Sequence, residues 1–226
     1  MAYILHIESS SNVCSIAISE NDTLLSIKEL NSGYTHAENL HLFIEDVVNI
    51  ASLKLKDLNA ISISSGPGSY TGLRIGFSAA KGLAYALNIP LIEISTLKAF
   101  ANSAMNLTLD KVMYCPLMDA RRMEVFTAIY DEHQHEILKP QALILTIDSI
   151  QELNKNQSVY FFGDGLSKAK ELLQNIPHCK FIDGLMPSAR GLIQLAYQKY
   201  VNNEFADLAY SEPNYLKEFF FTIAKK

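Results

Sequence analysis

One string of secondary-structure elements, read from hydrophobic periodicity, runs through this chain twice. Tyr3–Ile7, Val13–Ser19 and Thr23–Leu30 read as strands, with Glu20-Asn21-Asp22 a turn between the second and third. A helix is predicted from His36 to Ala51. Leu40, Phe43, Ile44, Val47 and Ala51 recur at its period, and Thr35 and Glu38 have the spacing of a capping box. Ala60–Ser64 is a short buried strand, followed by a Gly-rich loop and a helix from Gly72 to Leu87. Leu91–Ile94 is a strand and Thr96–Met105 a helix. The second half repeats the order: strands Val112–Met118, Glu124–Tyr130 and His135–Leu145, helix Ile147–Leu153, strand Val159–Phe162, helix Leu166–Ile176, strand Lys180–Ile182 and helix Ser188–Val201. The same elements could build a single mixed sheet. No residue-level repeat is visible, but the recurrence of the whole βββαβαβα order favours an α/β fold of two duplicated lobes, residues 1–108 and 109–226. The join near Asn106–Asp110 is polar and free of Pro and Gly, so it reads as a helix continuing into a strand.

Two such units in tandem resemble the duplicated, ribonuclease-H-like architecture of actin and hexokinase. Composition permits it: 49% of residues are hydrophobic and 19% charged, enough apolar surface for buried cores. No apolar run nears the ~20 residues that span a bilayer, and the N-terminus lacks a basic region before its first carboxylate. A membrane span and a signal peptide are therefore not expected. Cys14, Cys115 and Cys179 lie far apart in apolar runs, which reads as buried free thiols in a reducing cytoplasm. The net charge is −5 and no block of Lys or Arg exists, so the chain alone is expected to hold RNA weakly.

The sharpest segment is Ser65-Gly66-Pro67-Gly68-Ser69-Tyr70-Thr71-Gly72-Leu73-Arg74-Ile75-Gly76. Between a strand and a helix, its backbone N–H groups are placed to hold an anion. No Gly-Lys-Ser/Thr follows, so it is not a P-loop, and Thr71 stands where a dinucleotide fingerprint needs its last glycine. From spacing alone, a tight turn with close helix packing is the simpler reading. Glu8-Ser9-Ser10-Ser11-Asn12 sits where actin-like kinases place an acid against metal-bound phosphate, yet it has no glycine. Its counterpart in the second half, Asp119-Ala120-Arg121-Arg122-Met123-Glu124, also lacks glycine, and Gly163-Asp164-Gly165 is a short stand-in for an adenosine loop. Glu8, Ser9, Ser10, Asp119, Arg121, Gly163, Asp164 and Gly165 thus read as vestigial nucleotide loops. His36 and His41 would lie about 140° apart on a helix and cannot share one ion. No Gly-x-Ser-x-Gly elbow and no Cys/His metal spacing is present.

Taken together these residues resemble the TsaB (YeaZ) family. Glu8-Ser-Ser-Ser-Asn-Val-Cys14-Ser-Ile-Ala is similar to its opening turn and strand. Tyr34-Thr35-His36-Ala37-Glu38-Asn39-Leu40 is similar to its first helix start, and Gly66 through Gly76 matches its most specific motif almost letter for letter. Asp119-Ala120-Arg121-Arg122-Met123-Glu124-Val125, Gly163-Asp164-Gly165, Pro187-Ser188-Ala189 and Glu212-Pro213-Asn214-Tyr215-Leu216 fall in family order. Departures are Glu8 for Asp and Met123 for Gly. The resemblance implies a duplicated actin-like fold and a non-catalytic subunit of the bacterial machine that forms N6-threonylcarbamoyladenosine at position 37 of tRNAs reading ANN codons. It implies a TsaD-like catalytic partner that carries the metal, a TsaE-like ATPase, a homodimer when the chain is alone, and tRNA contact only through the complex. It implies no tightly bound cofactor and leaves room for an adenine nucleotide at the complex interface.

The Gly72–Leu87 helix carries two apolar stripes. Leu73, Phe77, Ala80, Ala84 and Leu87 are expected to face the sheet of their own lobe. Ile75, Ala79, Gly82, Leu83 and Ala86, with Gly76 at the margin and Leu42 on the preceding helix, are expected to form the partner interface, because small residues admit a second helix. Gly66, Pro67, Gly68, Ser69, Tyr70, Thr71, Gly72 and Arg74 form the motif loop. The competing reading is an independent actin-like ATP-dependent phosphotransferase; a peptidase lacks both metal ligands and an activated nucleophile.

Overall fold

The computed structural model describes every residue except 32, 34–35, 109–111, 155–156 and 218–226. The Thr35 cap predicted for the first helix lies outside the described residues, as does part of the join between the halves. In the first half, strands β1 (Tyr3–Glu8), β2 (Val13–Glu20), β3 (Thr23–Asn31), β4 (Ala60–Ser64) and β5 (Leu91–Ile94) form one sheet in the order β3-β2-β1-β4-β5. Helices α1 (His36–Ile50), α2 (Tyr70–Leu87) and α3 (Thr96–Met105) connect them. In the second half, β6 (Met113–Asp119), β7 (Glu124–Tyr130), β8 (Glu136–Ile144), β9 (Val159–Phe162) and β10 (Cys179–Ile182) form the order β8-β7-β6-β9-β10, the same topology in a second copy. The helices there are α4 (Ile147–Asn154), α5 (Leu166–Leu173) and α6 (Ile193–Val201).

Each sheet is antiparallel through its first three strands and parallel where β1 meets β4 and β6 meets β9. Strands in the parallel part are covered on both faces, so β4 is buried along its whole length. A polar residue in such a strand needs a partner. His6 in β1 bridges Ser62 Oγ and Ser19 Oγ on its two neighbours, and burial lowers its pKa to about 3, so it is a neutral core residue.

Helices α1 and α2 cover one face of the first sheet. Phe77, Ala80 and Ala84 of α2 join Leu40, Phe43, Ile44 and Val47 of α1 over Leu5, Ile7, Ile16 and Ile61. Leu73 is fully buried beside them. The other face is not covered by its own lobe alone. Leu192, Leu195 and Ala196, from the second half, pack on Ile4, Ala60, Ile92 and Ile94. In return Leu97, Phe100, Ala101 and Ala104 of α3 pack on Tyr114, Met118, Ala128, Tyr130 and Phe162 of the second sheet. The two elements meet where a Cβ on Gly191 would strike the Ala99 carbonyl, and Asn102 Nδ2 donates to the Gly191 carbonyl at 3.1 Å. The lobes thus exchange their last helices, each packing on the sheet of the other in its own buried cluster, which fixes the loops at the ends of β1 and β6 relative to each other.

Two predicted helices are shorter than their sequence pattern. Ser188–Val201 splits into a 3-10 turn, Ala189–Leu192, and α6, at the point where Gly191 presses on α3. The other, α5, ends at Leu173, not Ile176. Among the described residues no helix is long and apolar enough to cross a membrane.

Candidate functional site

The Gly-rich motif is the seat of the turn between β1 and β2. Ser69 caps α2, its Oγ accepting from Gly72 N at 3.2 Å, and Ser69 N donates to the Ser10 carbonyl at 2.6 Å. A Cβ on Gly68 would collide with Ser10, one on Gly72 with the Ser9 carbonyl, and one on Gly76 with Ser9 Oγ. The glycines at four-residue spacing therefore let the helix lie directly on the Glu8–Asn12 turn. Helix α2 is thereby in direct backbone contact with Ser9 and Ser10. Gly66, at φ +106, is joined to Pro67 by a cis peptide; its N–H donates to Thr96 Oγ1 at 3.0 Å, and its carbonyl accepts from Thr96 N.

Glu8 is enclosed in the same turn. Its Oε1 accepts from Ser10 N at 2.7 Å and from Ser10 Oγ at 2.5 Å, while Oε2 is buried with no hydrogen-bond partner among the described residues. Burial pushes the Glu8 carboxyl above the usual carboxylate range, against the opposing pull of the Ser10 hydrogen bonds. His36 Nε2 lies 2.7 Å from the Ser11 carbonyl, and its ring also abuts Gly72 of α2. Because the folded pKa of Glu8 is raised, the folded state holds its proton more tightly than the unfolded chain. Stability should then fall as pH rises from the unfolded value near 4.5 through the raised folded value, and level off above it. Glu8→Gln is expected to remove that slope. Urea melts of both proteins across this range measure the difference, and a difference that stays constant with pH would show that the Glu8 carboxyl titrates alike in the folded and unfolded chain.

The second-half loops also gather, around Asp119. Its N–H donates to Asp164 Oδ1 at 2.9 Å, its Oδ1 accepts from Arg121 N at 2.6 Å, and Lys168 Nζ lies 2.6 Å away. Cβ atoms on Gly163 and Gly165 would strike the Leu117 carbonyl, so this glycine pair packs a loop onto β6. Burial raises the pKa of Asp164. Among the described residues no group of three or more His, Cys, Asp or Glu could hold a metal ion. Cys14 and Cys115 are buried and pushed up to about 11 and about 12 by desolvation; Cys179 is only half-buried.

A connection the sequence did not indicate joins the two groups of loops. After α6 the chain runs back along the first lobe as a strap. Ala206 N donates to the Leu91 carbonyl, Lys81 Nζ to the Ala209 and Ser211 carbonyls, and Asn214 N to the Ser65 carbonyl. Tyr215 then sits 5.0 Å from the Tyr70 ring, its hydroxyl beside Arg74, whose guanidinium covers Tyr70 at 3.9 Å. Lys217 pairs with Glu124 on the second lobe. Pro187-Ser188-Ala189 is likewise a clasp: the Ser15 and Ser188 hydroxyls both donate to Glu29, and Ala189 N donates to Ser15 Oγ. Beside it lies a groove of about 800 Å³, lined among others by Val13, Asn31, Asn106, Met186 and Arg190.

The outer stripe of α2 forms one wall of a second, shallow groove of about 550 Å³. Ile75, Ala79, Gly82 and Leu83 face Ala37 and His41 of α1 across it. Ala86 is exposed on the same helix. Gly76 is turned inward onto Ser9, and Leu42, 57% exposed, is on the same helix as Ala37 and His41 but does not line the groove.

A family model described as TsaD, tRNA N6-adenosine threonylcarbamoyltransferase, matches residues 31–224. The tRNA threonylcarbamoyladenosine biosynthesis protein TsaB of Bacillus subtilis (strain 168) is 28% identical over 222 residues, covering 95% of this chain and 93% of the relative. The protein of that name from Escherichia coli (strain K12) is 28% identical over 229 residues, covering 95% and 94%. Among solved structures, YeaZ from Pseudomonas aeruginosa superposes with a TM-score of 0.81 at 23% identity, covering 96% of this chain and 100% of that one. An activator of 2-hydroxyisocaproyl-CoA dehydratase from Clostridium difficile, solved with bound ADPNP, gives 0.54 at 11% identity over 91% of this chain and 98% of the other. These likenesses and the doubled strand order make the fold the duplicated actin-like one.

Proposed function

Since this chain belongs to the family of the tRNA N6-adenosine threonylcarbamoyltransferase TsaD, and within it is of the TsaB type with a role in threonylcarbamoyladenosine biosynthesis, we propose that it is a non-catalytic scaffold subunit. In this reading it binds a TsaD-type catalytic subunit in the cytoplasm and is required for N6-threonylcarbamoyladenosine formation at position 37 of tRNAs that read ANN codons. The observation that carries the reading is the closed first loop. The motif that would be expected to cradle a phosphate presses α2 onto Ser9 and Ser10, and the acid that would meet a metal ion, Glu8, is buried and bound to its own turn. An independent phosphotransferase needs that loop open.

The groove of Ile75, Ala79, Gly82 and Leu83 against Ala37 and His41 supports the second half of the reading. It is apolar, shallow and floored by small residues, which suits a packed helix better than a small metabolite. The same face would serve a homodimer when the partner is absent, since a two-fold contact is self-complementary. A TsaE-type ATPase, an adenine nucleotide at the interface, and tRNA contact through the assembled complex complete the proposal; no resident cofactor of this chain is part of it.

The isolated chain should neither hydrolyse ATP nor transfer threonylcarbamoyl groups, and with a TsaD-type partner, a TsaE-type ATPase and an activated threonylcarbamoyl donor the mixture should modify tRNA. Steady-state assays of the pure chain and of the reconstituted mixture decide this. Turnover by the chain alone that is lost on Glu8→Gln and Asp119→Asn would favour the phosphotransferase.

A further inference from the structure

The turn between β6 and β7 places two arginines at an energetic disadvantage. Arg121 and Arg122 have φ of 69° and 48°, consecutive residues in the left-handed region that L side chains avoid. Glycine and asparagine are the residues that take this conformation readily, so arginine here carries a strain that the fold does not require. The backbone is held there by Arg121 N on Asp119 Oδ1 and by Glu124 N on the Arg121 carbonyl at 3.2 Å. Both side chains are exposed, and among the described residues neither guanidinium has an ion pair or hydrogen bond.

The acids around the turn are already engaged. Lys168 pairs with Asp119, Lys217 reaches from the strap to Glu124, and Asp164 accepts from Asp119 N. Asp164 alone of these three acids has no ion-pair partner among the described residues, so one carboxylate stands against two guanidinium groups and the tip keeps an excess of positive charge, on a chain whose net charge is −5. An exposed, locally cationic tip on an acidic protein points outward to a partner anion, and the planar guanidinium fork matches phosphate oxygens.

Resting on the scaffold reading above, we propose that Arg121 and Arg122 form a finger that grips the phosphate backbone of RNA bound to the assembled complex. Two such contacts are too few to hold RNA on the isolated chain, but within a larger cationic surface each adds roughly 0.7–0.9 to the slope of log affinity against log salt.

The test replaces Arg121 by Asn and Arg122 by Gly together, and in a second variant both by Lys. Each variant and the wild type are assembled with a TsaD-type subunit, and binding of a fluorescent tRNA transcript is titrated by anisotropy at several salt concentrations. The Asn/Gly variant is expected to melt no lower than wild type, to capture the partner equally well, and to bind tRNA on the order of tenfold more weakly with a slope shallower by roughly 1.4–1.8. The Lys variant should keep most of the slope, because it keeps the charges. An unchanged slope in the Asn/Gly complex overturns the proposal while leaving the scaffold reading intact. Loss of partner capture by that variant would assign the arginines to a protein contact and also overturn it. If the wild type itself captures no partner, the scaffold reading and the finger fall together.

Discussion

Replacing Gly82 by Arg is expected to abolish association with a TsaD-type partner and with a second copy of this chain, while the protein itself becomes slightly more stable. The two effects have separate causes. A Cβ at Gly82 meets nothing within 4 Å, so the new side chain enters open space in the single chain. Glycine inside a helix costs roughly 0.5–1 kcal/mol relative to alanine, and arginine is close to alanine in helix propensity. For a chain of this size the gain corresponds to a rise in Tm of about 1–4 °C. In the groove, however, Gly82 lies between Ala79 and Leu83, opposite Ala37 and His41. A helix packed there at ~8–10 Å has no room for an arginine and would have to desolvate its charge. The expected loss in affinity is at least about a hundredfold, or roughly 3 kcal/mol. Size-exclusion chromatography with light scattering reads the association, and thermal melting reads the fold. A folded Gly82→Arg protein that still dimerises and still captures the partner would place the interface on another face.

What the sequence disclosed and what it withheld divide along physical lines. Period and alternation are properties of a short window, so the order of strands and helices, and hence the doubled topology, could be read directly. The inner stripe of α2 was legible for the same reason: Leu73, Phe77, Ala80 and Ala84 share one side of the helix and are buried. A helix pattern says that a face is covered but not by what. Nothing in the α3 sequence indicates that Leu97, Phe100 and Ala101 pack on the sheet of the other half, or that Leu195 and Ala196 return the exchange. The strap from Asn203 to Lys217 left no periodic trace, because it is held by backbone carbonyls and single side chains more than a hundred residues away in sequence. Glu8 read as a vestigial metal-facing acid. Its burial and its bonds to Ser10 come from the way α2 closes over the turn, and that closure depends on three glycines about sixty residues later. Gly163-Asp164-Gly165 reads in the sequence as a short stand-in for an adenosine loop, and the structure adds a packing reason for both glycines, the close approach of that loop to the Leu117 carbonyl.

Those three glycines make the strongest stability test, and the same helix supplies its control. Gly72→Ala would put a methyl group into the Ser9 carbonyl oxygen, with His36 Cδ2 at 3.2 Å and Ser69 Cβ at 3.3 Å closing the remaining space. The atom it meets is backbone, in a turn fixed by Glu8 and by the Ser69–Ser10 hydrogen bond, so it cannot rotate away. Either α2 lifts from the turn or the turn distorts. Overpacking of this kind costs typically about 1–3 kcal/mol, and a rigid backbone on both sides places Gly72→Ala at the upper end. Gly82→Ala, ten residues on and facing open space, should instead stabilise by up to about 1 kcal/mol through helix propensity alone. Two substitutions of identical chemistry in one helix are thus expected to have opposite signs. At about 2–4 °C per kcal/mol for a chain of this length, Gly72→Ala should melt roughly 5–12 °C below wild type and Gly82→Ala slightly above it. The helices exchanged between the lobes should make the loss global, so that the Gly72→Ala protein unfolds in one transition with no separate early melting of the first lobe. Calorimetry of the three proteins provides the measurement. If Gly72→Ala melts with wild type, the motif does not clamp the turn, the loop beside Glu8 is open to a ligand, and the argument against an independent phosphotransferase loses its main support.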